Sequence, residues 1–217
     1  FWPPATAQSH FALGFNAHPP LSRYLTTLTW LTFHEIYGDP WAYRLSSAIL
    51  FSFSIVVVFR VTAAQLNISA GLFAALSLGL MPRVFGHAHI AATDFPMMAF
   101  WLFTIVAFYK GLSDRKWAYG FSFLLGLAFS IKFTGLLIPM GLILYFITTG
   151  DSKIWNNFKI SIVVSPLTLW ALNPTWWVNP ISKFHENFIK LFYRNLFNSS
   201  DYKLCFFTSY FKCKFIS

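Results

Sequence analysis

Charge is what this chain has least of. Only 11% of its 217 residues are Asp, Glu, Lys or Arg, against 56% apolar and 21% aromatic, whereas a soluble domain carries roughly 25% charged residues. So few charges cannot cover a soluble surface, so the bilayer is the solvent to reason with. Acidic residues are scarcer still, seven in all: Glu35, Asp39, Asp94, Asp114, Asp151, Glu186 and Asp201. The two cysteines, Cys205 and Cys213, lie in the C-terminal tail. Without CxxC spacing or a nearby His pair they make neither a metal site nor a disulfide framework. There is no Walker-type loop, GxSxG elbow, HExxH or GxGxxG, which removes the common nucleotide and hydrolase readings. The formal charge of +9 comes from Lys and Arg residues scattered singly between apolar runs. They form no contiguous basic face, so nucleic acid is not an expected partner.

What is present is a series of apolar runs bounded by charge or proline. Six lie at about 45–59, 69–81, 96–109, 117–131, 135–149 and 160–172, several of them short for the roughly 20 residues a membrane helix needs. Residues 21–37 are apolar too, but they carry Arg23, His34 and Glu35 and follow Pro19-Pro20. That pattern reads as a helix lying at the interface. The expected fold is all-α: a polytopic membrane helical bundle of about six spans plus this interfacial helix. Residues 1–44 form an external loop with the interfacial helix, 45–175 the bundle, and 176–217 an external C-terminal segment. The chain opens on Phe1 in a polar, proline-bearing stretch with no signal-peptide core, which reads as a fragment or processed chain.

Every second loop is basic: Arg60; then Lys110, Arg115 and Lys116; then Lys153 and Lys159. The positive-inside rule places these in the cytoplasm. Arg23, Arg44, Arg83 and Lys132 then fall on the opposite side, each at the edge of a run, where the rule disfavours them. An anionic lipid headgroup or phosphate would explain all four; snorkelling to ordinary lipid phosphates is the simpler alternative for any one.

Asp114 and Asp151 sit in turns with Gly, Ser and Lys and read as solvated turn residues. Asp94, in GHAHIAATDFP, precedes a proline that opens a run. It either caps that helix or belongs to a site with Arg83, His87 and His89. Two histidines two residues apart can share a metal only in a loop. His18, before Pro19-Pro20, stands on a stiff extended corner with Arg23 following, suited to a phosphate or simply to a turn. TLTWLTF, FWLFT and NPTWW read as interfacial aromatic belts, with sugar stacking by Trp176 or Trp177 as the other option. Asn67 and Asn198 open N-glycosylation acceptor patterns, the first on the side assigned to the cytoplasm.

Taken in order, NAHPPLSRYL, DPWAYRLSSAIL, PRVFGHAHIAATDFPMMAFW, IKFTGLLIP and NPTWWVNP resemble the membrane-embedded glycosyltransferases of the C-type fold. The nearest likeness is to bacterial relatives of the dolichyl-phosphate-mannose protein mannosyltransferases and the aminoarabinose transferases, a glycosyltransferase family 39-like group. The resemblance covers residues 16–190. It implies transfer of a sugar, for instance a hexose such as mannose, from a polyprenyl-phosphate carrier to a protein, lipid or glycan acceptor on the non-cytoplasmic face. The membrane would be a bacterial inner membrane or, in a eukaryote, the endoplasmic reticulum. By the same resemblance Arg23 is a phosphate contact, Arg44 a phosphate or loop-anchoring contact, and Asp94 a catalytic carboxylate serving the acceptor or a divalent metal. His18, Arg83, His87, His89 and Lys132 complete the expected substrate-binding set. Relatives carry an acid shortly before HPP where this chain has Asn16, and the tail SSDYKLCFFTSYFKCKFIS departs from the family. The expected base therefore lies upstream of Phe1, and the chain alone is expected to be inactive. Two further classes remain at this stage. A transporter would show inverted repeats and mid-span charges; a non-catalytic membrane subunit would keep the fold without the chemistry.

Overall fold

The structure is a computed structural model that describes residues 19–150, 152–174 and 177, almost all within one unit, His18–Asn173. Its described residues form eight α-helices and no strand. They are α1 (Leu21–Tyr37), α2 (Asp39–Gln65), α3 (Ile68–Leu80), α4 (Pro82–Ala88), α5 (Asp94–Gly111), α6 (Arg115–Phe129), α7 (Leu137–Thr149) and α8 (Ile154–Leu172), with a 3-10 turn, Phe133–Leu136, before α7. The interfacial segment is helical over 21–37, and each of the six apolar runs coincides with a helix.

Helix ends follow local chemistry. Asn67 Oδ1 accepts from Ala70 N at 2.8 Å to cap α3, and Asp114 Oδ1 accepts from Lys116 N at 2.9 Å to cap α6; each satisfies an amide that lacks an intrahelical partner. Gly150 ends α7 at φ 66, a left-handed conformation that costs glycine no Cβ clash. One element departs from expectation. Between the apolar runs that end at 81 and resume at 96, where no helix is expected, Pro82–Ala88 is helical and bent 65° from α3. Pro82 lacks the N–H needed to continue α3, yet its fixed φ suits the first position of a new helix.

Residue placement is inverted relative to a soluble bundle. Ser47, Ser54, Thr104, Ser122, Ser130 and Asn157 are fully buried, while Phe73 is 75% and Leu144 63% exposed. Small and hydroxyl residues at helix seams, with large apolar side chains outward, suit hydrocarbon as the surroundings. Among the described helices one, Asp39–Gln65, is long and apolar enough to cross a membrane alone; the bent pair α3 and α4 would make a second if taken as one span. The others are shorter or more polar. α6, at 15 residues, is about 22 Å long against the roughly 30 Å of a hydrocarbon core.

Two apolar clusters hold the helices. Phe121, Leu125, Ile131, Ile138 and Ile154 gather with Phe108 around α6, and Phe51, Ala88, Phe95 and Ala99 join α2, α4 and α5. α6 lies between α5 and α8. Its seam with α8 is tight: a Cβ on Gly126 would stand 2.6 Å from Thr168 Cβ and 2.8 Å from Ser165 O, and Ser165 Oγ donates to Ser122 O at 2.8 Å.

Candidate functional site

Three separated blocks of sequence meet at one end of the bundle. The Leu21 amide, which opens α1 after Pro19-Pro20, donates to Ser130 O at 2.9 Å. Ser130 is the residue at which α6 ends, and its own hydroxyl donates back to Gly126 O. Beyond it Lys132 is extended, at φ -156 and ψ 142, and leads into the 3-10 turn. From there Lys132 Nζ donates to Asp94 Oδ1 at 2.8 Å. The HPPL, IKFTG and ATDFP segments are thus tied together, with Arg23 and Lys132 each two residues from the Leu21–Ser130 bond.

Asp94 is the first residue of α5, and Thr93 at the N-cap makes no side-chain capping bond. A carboxylate in this first turn is favoured by the positive end of the helix dipole. The approach to it is fixed from the side: Ser47 Oγ in α2 donates to Ile90 O at 3.2 Å, and the rings of Phe51 and Phe95 meet edge to face at 5.6 Å. The pair itself is reachable, with Asp94 56% and Lys132 29% exposed. Both charges are therefore held and open to a ligand.

The other expected site residues are placed less centrally. Arg23 is exposed in the first turn of α1. Arg44 lies in α2, its guanidinium 5.7 Å from the Trp41 ring centre, a cation–π contact. Arg83 and His87 are exposed on α4. His89 Nδ1 donates to Phe85 O at 2.7 Å and its ring packs on Phe85 at 4.3 Å. A carbonyl can only accept, so Nδ1 carries the hydrogen in this contact. The loop that a shared His87–His89 metal would need is helical through Ala88. Among the described residues no three His, Cys, Asp or Glu side chains gather as a metal set. His18, Asp151, Trp176 and Asn198 lie outside the described residues.

Sequence reasoning passed over a second cluster, where α1 meets α2. Trp30 Nε1 donates to Asp39 Oδ1 at 2.9 Å, Trp30 stacks on His34 at 4.4 Å and on Tyr43 at 5.9 Å, and His34 Nε2 lies 3.0 Å from Glu35. Both acids there have local partners. The signal was available: His34 and Trp30 are one turn apart, and Asp39 begins the next helix.

A family model described as dolichyl-phosphate-mannose-protein mannosyltransferase matches residues 17–177. Neither the curated proteins nor the solved structures contain a match to this chain. The matched stretch is well over half of the 217 residues and takes in every block that meets at the Asp94–Lys132 pair; the chain belongs to the dolichyl-phosphate-mannose-protein mannosyltransferase family, a family of membrane glycosyltransferases.

Proposed function

We propose that this chain serves transfer of a sugar, a hexose such as mannose, from a polyprenyl-phosphate carrier to a hydroxyl of a protein, lipid or glycan acceptor. In this reading its six long or apolar helices, α2, α3 and α5 to α8, cross the membrane, and Asp94 and Lys132 work at the non-cytoplasmic face. The 2.8 Å contact between Lys132 and Asp94, beside the start of α1, is the observation that carries it. Its support is chemical. In the transfer, the acceptor oxygen bonds to the anomeric carbon while the bond from that carbon to the carrier phosphate breaks, the phosphate keeping the electron pair. The hydroxyl proton must leave to a base. Negative charge therefore grows on the departing phosphate while the acceptor hydroxyl gives up its proton.

An ammonium with three donor hydrogens can hold a carboxylate and a phosphate together. Lys132 is assigned that bridging role, Arg23 a second phosphate contact, and Asp94 the carboxylate facing the acceptor hydroxyl. Fixed donors aimed at developing charge contribute more than groups that must reorganise during reaction, and both Lys132 and Asp94 sit at turns pinned by backbone hydrogen bonds.

The test is transfer from polyprenyl-phosphate mannose to a hydroxyl-bearing peptide by the full-length protein in lipid, with Lys132→Ala and Asp94→Asn compared with the unsubstituted parent. Loss of one such contact is expected to lower turnover roughly 10²-fold or more. Helix content should be retained, because an exposed pair contributes little to folding. Rates equal to the parent's in both variants would remove this end of the bundle from the mechanism.

A further inference from the structure

The opposite end of α5 and α6 holds a second charged feature that the transfer reading does not use. α5 runs 18 residues from Asp94 to Gly111, so the two ends stand about 27 Å apart. At the far end a cavity of about 420 Å³ opens between the α5–α6 turn and the first turns of α8. Its polar lining is Ser113, Arg115, Asn156 and Lys159; Leu112 and Ile160 supply an apolar wall, and among the described residues no Asp or Glu lines it. Neither Arg115 nor Lys159 makes an ion pair among the described residues. The neighbouring carboxylate, Asp114, has its Oδ1 engaged by the Lys116 amide. Two cations, a hydroxyl and a carboxamide therefore face one concavity that no described carboxylate lines.

The walls of this cavity are fixed. Asn157, fully buried, donates through Nδ2 to Phe108 O at 3.0 Å and so ties the start of α8 to the last turn of α5. A Cβ on Gly111 would stand 2.8 Å from Asn157 Oδ1 and 3.0 Å from the Ala118 amide nitrogen. α5 and α6 thus meet there at backbone distance, and the buried Asn157 side chain holds α8 against α5. Asn157 Oδ1 has no hydrogen-bond partner among the described residues. A glycine Cα–H directed at it is the weak contact this geometry leaves.

We infer that this cavity is an anion site for a phosphate group. A guanidinium fork, an ammonium, a hydroxyl and an amide N–H together match the several acceptor oxygens of a phosphate, where a single-atom anion would use few of them. The group can come from a phospholipid headgroup, with Leu112 and Ile160 against its apolar side, or from free phosphate in solution. The site is independent of the Asp94–Lys132 pair.

The test uses the full chain purified in detergent and in lipid nanodiscs. Inorganic phosphate is titrated calorimetrically against sodium chloride at matched ionic strength, and phosphatidic acid retention from a phosphatidylcholine background is read by native mass spectrometry. The parent is expected to bind at least one probe saturably. The double variant Arg115→Gln with Lys159→Gln should weaken it by roughly tenfold or more for each cation lost, while Lys159→Arg retains it. Binding of phosphate alone identifies the free ion as the source, and retention of phosphatidic acid alone identifies the headgroup. No saturable binding of either, or equal binding by parent and double variant, overturns the site. Should the double variant lose its helical circular dichroism, Ser113→Ala with Asn156→Ala is measured in its place. It is expected to bind several-fold more weakly, and unchanged affinity there also overturns the site.

Discussion

Two glycines on one helix permit a matched test of the packing. Gly120 and Gly126 both lie in α6, and a Cβ added at Gly120 meets nothing within 4 Å, whereas at Gly126 it meets Thr168 Cβ at 2.6 Å and Ser165 O at 2.8 Å. Alanine in place of either removes the same backbone entropy cost, a gain of about 0.5–1 kcal/mol in a helix interior. For Gly120→Ala that gain is the whole expected effect. For Gly126→Ala the new methyl group must be accommodated by moving α8, because one of its neighbours is backbone; overpacking of this kind costs about 1–3 kcal/mol. The propensity term cancels between the two variants, so they should differ by about 1–3 kcal/mol, with Gly126→Ala the less stable. At about 2–4 °C per kcal/mol for a chain of this size, Tm values followed by helical circular dichroism in detergent should separate by roughly 2–12 °C. Equal Tm values, or Gly126→Ala the higher, would refute the close approach of α6 and α8.

Removing the Asn157 side chain as Asn157→Ala should cost about 1–3 kcal/mol through loss of the buried bond to Phe108 O. Asn157→Asp should cost more, since it buries a charge and leaves Phe108 O without its donor; a more stable Asp variant in chemical denaturation would contradict this. Asn67→Ala should lose about 0.5–2 kcal/mol as the cap of α3 opens, and Asn67→Asp should restore most of it. Thermal unfolding of the pair separates capping from a role as glycan acceptor, which Asp would not restore. Lys132→Ala should change stability by about 1 kcal/mol or less because the ion pair is partly exposed, even where transfer falls steeply.

The helices were readable because apolar runs bounded by charge are long-range signals, and the buried set on α6, Ala118, Phe121, Ser122, Leu125 and Gly126, recurs at helical spacing. Boundaries were less so. α2 begins at Asp39, six residues before its apolar run, because the Asp39-Pro40 start signal and backbone hydrogen bonding do not depend on hydropathy. α4 was missed because a seven-residue helix containing Gly86 and two histidine neighbours has no periodicity to detect. At the candidate site, Asp94 and Lys132 were each singled out and placed on one side of the membrane, but 38 residues separate them. Nothing in a linear pattern states which of four cations a lone carboxylate will meet. Arg83 and His87, both exposed on α4, were nearer in sequence than Lys132.

The scarcity of charge and the arrangement of the helices are linked through α6. Its C-terminal end presents Ser130 to Leu21 and leads into Lys132, while its N-terminal end places Arg115 in the cavity with Lys159. Between those ends its contacts with α5 and α8 rest on Phe121, Leu125, Gly126 and the Ser122–Ser165 bond, with no charged side chain among them. A seam of this composition brings backbones close without burying ions, whose desolvation would oppose packing. Along α6 charge is thereby confined to the ends, with Arg115 and Lys116 opening the helix and Lys132 just past its close. Site geometry at either end is in this sense a property of the uncharged middle.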